Sequence, residues 1–268
     1  MLRPSLFLLL ALPAAAQTAA TLDAPPQIHL TAEQPLNPAL PTVFIVGDST
    51  ARNGADLGWG DHFAPVFDTT RINVANRAMA GRSSRTYINE GRWDRVLAEM
   101  KPGDFVLIQM GHNDGGDLGG AKPRGTLKGI GEETQDVPQT TGPLAGKVET
   151  VHTYGWYIRK YIADTRAKSA TPILLTCTIR NIWKDGQIER DMGYRDFEFQ
   201  IAAAQHVPIA DMATLAADRL QALGPEKTAA LFPIDHTHSS AEGAALNARD
   251  VAAALVAIHS PLAAYLKP

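Results

Sequence analysis

The sequence predicts an α/β domain built on a parallel β-sheet. From residue 42 onward, short apolar segments alternate with stretches of helical periodicity, and strands separated by helices imply right-handed crossovers between parallel strands. Several of these segments are almost continuously apolar, as at 105–110, which suits strands covered on both faces. Turn residues follow the apolar segments, so polar side chains collect where strands end.

Five strands and six helices are predicted in the order in which they alternate. The strands are expected at 42–46, 71–75, 104–110, 172–177 and 207–210. The helices are expected at about 59–67, 92–100, 149–168, 192–205, 211–222 and 240–258. Residues 114–148 are rich in Gly and Pro and poor in apolar side chains, which predicts a long functional loop that forms a wall of the active site. A second loop, 178–191, leaves the fourth strand at the same edge.

The N-terminus has the pattern of a secretory signal peptide. Arg3 precedes an apolar run at 6–12, and Ala14 to Ala16 follow, so residues 1–16 are expected to be removed after Ala16. Residues 17–41 are interpreted as an extended lead-in and 42–268 as one domain. The apolar run is too short to span a bilayer, and a secreted or periplasmic protein with no membrane span is predicted.

Composition excludes some functions. The net charge of −3 provides no electrostatic reason to expect nucleic acid as a partner. The single cysteine, Cys177, cannot form an internal disulfide, and its place in an apolar segment favours a small buried side chain over a thiol nucleophile. No obligate protein partner is evident, and no metal or cofactor is expected, because no group of residues has persuasive metal-ligand spacing.

Two distant segments contain the residues that a serine nucleophile needs. Gly47-Asp48-Ser49-Thr50 directly follows a predicted strand, and Asp235 and His238 lie three residues apart before the last predicted helix. A serine hydroxyl needs a base to take its proton, and the base needs a carboxylate to orient it. The chain order Ser49, Asp235, His238 therefore points to an acyl-transfer enzyme. Asp48 is interpreted as a structural residue of the turn.

Two further strand-end segments offer donors for an oxyanion. One is the turn at 76–84, which contains Gly81, and the other is Gly111-His112-Asn113-Asp114. A glycine lets a backbone N–H approach closely, and an asparagine side chain supplies another donor. Parallel strands would bring both turns to the edge that carries Ser49.

Together these blocks resemble the SGNH (GDSL-type) hydrolases. The run at 80–93 resembles the rhamnogalacturonan acetylesterase branch, a group of carbohydrate esterases that act on pectic rhamnogalacturonan. The resemblance covers roughly residues 41–258. It implies a three-layer α/β/α sandwich with a central five-stranded parallel sheet, the flavodoxin-like SGNH hydrolase fold, in strand order 2-1-3-4-5. It also implies a triad of Ser49, Asp235 and His238. The Ser49 N–H, the Gly81 N–H and the Asn113 side chain would form the oxyanion hole.

Substrate contacts are expected from cations and exposed aromatic rings. Arginines near the second block, Arg82 above all, suit the carboxylates of an acidic sugar chain, and Arg85, Arg92 and Lys122 are further candidates. Trp59 and Trp183 are expected to stack on a sugar ring.

The predicted activity is removal of O-acetyl groups from a polysaccharide, with pectic rhamnogalacturonan as the expected substrate. Three alternatives remain open: a lysophospholipase or thioesterase, an acyltransferase in which a sugar replaces water, and a carbohydrate-binding protein with a decayed site. His112, His152 and His236 are rivals to His238 as the base. His238 is preferred mainly because the resemblance implies it, and the side chain of His236 would point elsewhere if the segment is extended or turning.

Overall fold

The computed structural model describes residues 35–54 and 57–268. Its strands are β1 (Thr42–Val46), β2 (Asn73–Asn76), β3 (Phe105–Ile108), β4 (Thr134–Pro138), β5 (Val148–His152), β6 (Thr171–Leu175), β7 (Trp183–Lys184), β8 (Gln187–Ile188) and β9 (Ile209–Ala210). Its α-helices are α1 (Ser84–Asn89), α2 (Arg92–Glu99), α3 (Tyr154–Ala167), α4 (Arg195–Gln205), α5 (Met212–Ala230) and α6 (Ala241–Ala257).

The central sheet has five parallel strands in the order β2-β1-β3-β6-β9. This is the predicted parallel sheet and the predicted strand order, and both are confirmed. β4 pairs with β5 and β7 pairs with β8 in two separate antiparallel hairpins. The predicted signal peptide and residues 17–34 of the predicted lead-in lie outside the described residues.

Alternating side chains of the central strands supply two cores, one on each face of the sheet. In β1, Val43 and Ile45 pack in the core that α6 covers, whereas Phe44 and Val46 pack in the core that α2 and α3 cover. All four side chains are fully buried. A strand covered on both faces reads as a continuous apolar run. The three-layer α/β/α arrangement follows from this burial.

One predicted helix was wrong at its start. Residues 148–152, expected to begin a helix at 149, form the strand β5, and α3 begins only after the cap residue Thr153. The Thr153 hydroxyl accepts a hydrogen bond from the Trp156 N–H at 3.1 Å. Pairing of β5 with β4 turns part of the predicted long loop, 114–148, into a hairpin. A tertiary pairing partner overrode the local helical pattern.

Other boundaries differ in smaller ways. The predicted helix at 59–67 is a pair of short 3-10 helices, Trp59–His62 and Ala64–Val66. The helix predicted to end near 222 runs on to Ala230, but it is broken at Gly224, whose φ of 78° is not helical and which precedes Pro225. Helix α1 was not predicted.

The carboxyl ends of β1, β2 and β3 open onto one edge of the sheet. The turn that carries Ser49 and the two oxyanion segments follow these three strands, so the fold brings them together, while Asp235 and His238 lie in the loop between α5 and α6. Across the described residues, no helix is both long and apolar enough to cross a membrane.

Candidate active site

The turn after β1 holds Ser49 at the edge of the sheet. Asp48 Oδ1 accepts hydrogen bonds from the Thr50 N–H at 2.8 Å and the Thr50 hydroxyl at 2.9 Å. Short polar side chains often close turns by bonding backbone two residues on. Asp48 therefore has the structural role that the sequence indicated, and it leaves the Ser49 side chain at the mouth of a pocket.

Ser49, His238 and Asp235 form a continuous hydrogen-bonded relay. His238 Nε2 lies 2.8 Å from Ser49 Oγ, and His238 Nδ1 lies 2.7 Å from Asp235 Oδ2. With the carboxylate beside Nδ1, the ring proton is assigned to Nδ1, and the Nε2 lone pair faces the serine hydroxyl. These distances are those that a serine nucleophile and its base require.

The segment that carries the base is a tight polar turn organised by Asp235. Asp235 Oδ1 accepts the N–H groups of Thr237 and His238, each at 2.7 Å. Burial of the carboxyl acts to raise its pKa, but the hydrogen bonds from His238 and Thr237 outweigh it and hold the pKa of Asp235 at about 2. The carboxylate is therefore ionised throughout the neutral range. His236 is exposed, and its carbonyl oxygen accepts the Asn181 N–H at 2.7 Å.

The three predicted oxyanion donors surround the same pocket. Ser49, Gly81 and Asn113 all line it. Gly81 has a φ of +79°, a left-handed conformation that glycine adopts without strain. One N–H of the Asn113 side chain donates to the Arg82 carbonyl oxygen at 2.9 Å, which orients the amide, and its second N–H is available. Within residues 35–54 and 57–268, the backbone N–H groups of Ser49 and Gly81 donate to no backbone acceptor.

A buried contact between His112 and Asp48, beside the nucleophile, was missed by sequence reasoning. His112 Nδ1 lies 3.3 Å from Asp48 Oδ2, and both side chains are almost completely buried. The two atoms are too far apart for a short hydrogen bond, and neither has a closer partner in the described part of the chain. Burial acts to raise the pKa of Asp48, but the charge of His112 and the bonds from Thr50 lower it overall. The pair joins the turn after β1 to the turn after β3.

Asp114 connects the same region to α1. Its carboxyl group accepts from the Ser84 N–H at 3.1 Å and forms a short hydrogen bond with the Ser84 hydroxyl. Burial raises the pKa of Asp114 to about 7. Asp114 thus has a structural role, because it anchors the N-terminus of α1 to the turn that contains Asn113.

Trp59 was predicted to stack on a sugar, and this prediction was wrong. Its side chain has no exposed surface, it packs edge-on against Phe63, and its Nε1–H donates to Gln109 Oε1 at 2.7 Å. Gln109 also accepts from the Thr50 hydroxyl at 3.2 Å, so this buried amide ties Trp59 to the nucleophile turn. An indole that finds a buried acceptor belongs to the core.

The other two predicted substrate contacts differ from each other. Arg82 is half-buried beside the site, but its Nε is already held by Glu90 at 2.9 Å and its Nη1 by the Ala80 carbonyl oxygen at 2.9 Å. Trp183 lies in β7, donates to Asn181 Oδ1 at 2.8 Å, and lines neither the pocket of Ser49 nor the cavity beside it. A sugar contact for either residue stays a prediction.

Arg85 and Arg92 have structural partners. Arg85 is buried, pairs with Glu149 at 3.2 Å, and donates to the carbonyl oxygens of Leu118 and Gly125. Arg92 pairs with Glu90. Arg85 therefore fastens the 114–148 segment to α1, and it is not the free carboxylate receptor that the sequence had suggested.

A layer of buried polar groups lies behind the turn that carries Asn113. Glu198 Oε1 accepts from the Cys177 thiol and the Tyr154 hydroxyl, each at 3.4 Å. Burial raises the pKa of Glu198 to about 8 and that of Cys177 well above its usual value. Cys177 is therefore a buried thiol, as the sequence predicted. A Cβ on Gly111 would lie 2.6 Å from its sulfur, so close packing requires glycine there.

The pocket at Ser49 has a volume of about 330 Å³ and a polar lining. Its lining consists of Ser49, Ala80, Gly81, His112, Asn113, Arg124, Arg180, Thr237 and His238. Only Ala80 contributes an apolar side chain. The predicted wall is present in part, because Arg124 belongs to the 114–148 segment. In the part of the chain that the structure describes, no three His, Cys, Asp or Glu side chains are grouped closely enough to hold a metal ion.

Fold and site define a serine carboxylic ester hydrolase on a flavodoxin-like sheet. The sequence profile of the GDSL-like lipase/acylhydrolase family matches residues 45–246. The chain belongs to this family.

Two relatives agree with that assignment. The chain is 33% identical over 209 residues to a rhamnogalacturonan acetylesterase of Emericella nidulans, which covers 76% of this chain and 80% of the relative. It is 28% identical over 245 residues to the rhamnogalacturonan acetylesterase RhgT of Bacillus subtilis, covering 84% and 93% of the two chains.

Two solved structures share the fold. The Bacillus subtilis protein YxiM aligns with a TM-score of 0.63 at 24% identity, and the alignment covers 81% of this chain and 56% of that one. The acetylxylan esterase Axe2 of Geobacillus stearothermophilus aligns with a TM-score of 0.51 at 20% identity, covering 80% and 94%. At these identities, the likeness concerns the fold alone.

Proposed function

We propose that this protein is a secreted carbohydrate esterase that removes O-acetyl groups from a pectic polysaccharide of the rhamnogalacturonan type. The observation that carries the proposal is the Asp235–His238–Ser49 relay, which opens into a polar pocket. The relay supports nucleophilic catalysis on an ester, and the lining supports a short acyl group on a polar substrate.

In the proposed reaction, Ser49 Oγ attacks the acetyl carbonyl carbon while His238 Nε2 takes the hydroxyl proton. The Asp235 carboxylate holds the Nδ1–H and stabilises the imidazolium. The oxyanion accepts hydrogen bonds from the Ser49 N–H, the Gly81 N–H and the Asn113 amide.

The tetrahedral intermediate then collapses. His238 transfers its proton to the sugar oxygen, the C–O bond breaks, and the sugar alcohol leaves. A water molecule attacks the acetyl group on Ser49, with His238 as base, and acetate is released with the serine hydroxyl restored.

The lining of the pocket favours this substrate class over a lipid. A long acyl chain needs an apolar groove, because each methylene that stays in water forfeits about 0.8 kcal/mol of possible binding. Arg124, Arg180 and His112 stand where a lipase would need apolar side chains. The two relatives, both rhamnogalacturonan acetylesterases, support a pectic substrate.

Export is part of the proposal and rests on the N-terminal pattern of Arg3, the apolar run at 6–12 and the alanines that end at Ala16. Mass spectrometry of the protein secreted by an expressing host tests it. A mature N-terminus near Gln17 is expected, and a cell-retained chain that keeps Met1 contradicts export.

One experiment tests the activity: acetate release from acetylated rhamnogalacturonan, acetylated xylan, and aryl esters of acetate and octanoate, with Ser49→Ala as the blank. We expect acetate release from all acetylated substrates, with the highest kcat/KM on acetylated rhamnogalacturonan. Preference for the octanoyl ester, with no acetate released from either polymer, contradicts a carbohydrate esterase. Preference for xylan contradicts the pectic assignment alone.

A further inference from the structure

A second cavity adjoins the pocket of Ser49. It has a volume of about 360 Å³, within the range of small-molecule binding sites. Gly81 and Arg124 line both spaces, so they stand at the junction. The walls are α1 on one side and the segments around 121–124 and 139–144 on the other. A chain of sugars with one unit at Ser49 could therefore extend over Gly81 into this second cavity.

The cavity has an excess of positive charge. Its two acidic residues are already neutralised, since Glu90 pairs with Arg82 and Arg92, and Glu149 pairs with Arg85. The other two cations that line it, Lys122 and Arg124, form no ion pair with any described residue. Arg124 is half-buried and Lys122 is exposed, and a cation that has no internal carboxylate is available for one from outside.

A third cation stands in the pocket of Ser49. Arg180 lines that pocket with Arg124, and its Nε is buried without a hydrogen-bond partner in the described part of the chain. No acidic residue lines this pocket. A guanidinium group that shares its pocket with no acidic side chain is available to an anion from outside.

The segment that carries Lys122 and Arg124 is fastened at both ends. Arg85 donates to the carbonyl oxygens of Leu118 and Gly125, which flank it on either side. The Gln139 amide also donates to the Leu118 carbonyl oxygen, at 3.1 Å. A preorganised cation binds an anion without the cost of ordering a loop.

We propose that Arg124 is a specificity residue that binds the carboxylate of an acidic sugar next to the acetylated one, with Lys122 and Arg180 supporting it. The planar guanidinium matches a carboxylate with two parallel hydrogen bonds. This inference rests on the proposed esterase function and adds to it the residues that distinguish acidic from neutral polysaccharides.

The test compares two forms of one acetylated galacturonate–rhamnose oligosaccharide in which a galacturonate borders the acetylated sugar, with free carboxylates or with the carboxyl groups reduced to alcohols. Acetate release is measured for the unchanged protein, Arg124→Gln, Arg124→Lys and the control Lys128→Gln. Lys128 is an exposed lysine of the same 114–148 segment that lines neither cavity.

A hydrogen bond to a charged group corresponds to about a tenfold to hundredfold change in binding. We expect the unchanged protein to prefer the carboxylate form by at least about tenfold in kcat/KM, mostly through KM. Arg124→Gln should lose most of that ratio, Arg124→Lys should keep part of it, and Lys128→Gln should keep all of it. The preference should shrink as salt is added, because ions screen the contact.

The experiment distinguishes failure of the proposed esterase function from failure of the proposed carboxylate site. If neither form releases acetate, the proposed function fails. If both forms release it equally with the unchanged protein, the carbohydrate esterase stands and the carboxylate site is refuted, whatever the variants do. A ratio that survives in folded Arg124→Gln refutes the assignment to Arg124, with folding checked by the melting temperature.

Discussion

Replacing Asn113 by alanine separates a catalytic contact from a structural one. Asn113 has 8% of its surface exposed and follows β3, and its amide has two N–H groups. One donates to the Arg82 carbonyl oxygen at 2.9 Å, and the other is available to the oxyanion that forms at Ser49.

Loss of the oxyanion contact should raise the activation free energy, and loss of the contact with Arg82 should lower the free energy of unfolding. Loss of one oxyanion donor raises the activation free energy by about 3–4 kcal/mol, which lowers kcat by roughly a hundredfold to a thousandfold. Loss of the bond to Arg82 lowers the free energy of unfolding by only about 1 kcal/mol, because water replaces most of a neutral hydrogen bond. KM should change little, because the contact forms mainly in the transition state.

The assay combines steady-state kinetics on an aryl acetate with denaturant unfolding. Asn73→Ala is the stability control, because the Asn73 amide donates to the Asn37 carbonyl oxygen at 2.9 Å and accepts the Asn37 N–H at 3.0 Å, at the opposite edge of the sheet. It should lose stability and keep its kcat. If Asn113→Ala instead raises KM and leaves kcat unchanged, Asn113 binds substrate in the ground state and the oxyanion assignment is wrong.

Three further predictions concern the relay, the acyl pocket and the buried acid. Ser49→Ala and His238→Ala should each lower turnover by several orders of magnitude, whereas His236→Ala, at an exposed residue, should keep substantial activity. The reverse result for the two histidines contradicts the assigned relay. A folded Ser49→Ala that retains more than about a tenth of the activity contradicts it as well. Specificity constants for aryl esters should fall from acetate to butyrate and nearly vanish at octanoate, because each added methylene would desolvate polar groups of the lining without finding an apolar wall. Activity that stays flat or rises with chain length, by up to about fourfold for each methylene buried, would favour a lipase or thioesterase. The raised pKa of Glu198, about 8 against 4.5 for a free glutamic acid, gives a stabilising contribution that is complete below about pH 4.5 and is lost as pH rises through about 8. Glu198→Gln, measured by denaturant unfolding, should therefore gain stability relative to the unchanged protein between pH 5 and pH 8, and a difference that does not vary with pH argues against a buried proton on Glu198.

The sequence was informative where a pattern is local. The strand β1 was predicted at its observed bounds because an apolar strand buried on both faces needs no partner-specific information to be recognised. Predictions failed where a distant partner decides. The start of α3 moved because β5 pairs with β4, and Trp59 turned inward because Gln109 offers a buried acceptor.

The sequence by itself determined the class of fold, the positions of the turns at Ser49, Gly81 and Asn113, and the D-x-x-H spacing of Asp235 and His238, because each depends on residues close together in the chain. Only the tertiary structure decided which charged groups meet. The pairing of β1 with β3 brings Asp48 against His112, and Arg85 forms an ion pair with Glu149. Arg124, which sequence reasoning had not singled out, is left at the junction of the two cavities. Charge interactions act through space between residues far apart in the chain, so whether a cation is neutralised within the protein or available to a substrate is set by the fold and not by the local sequence.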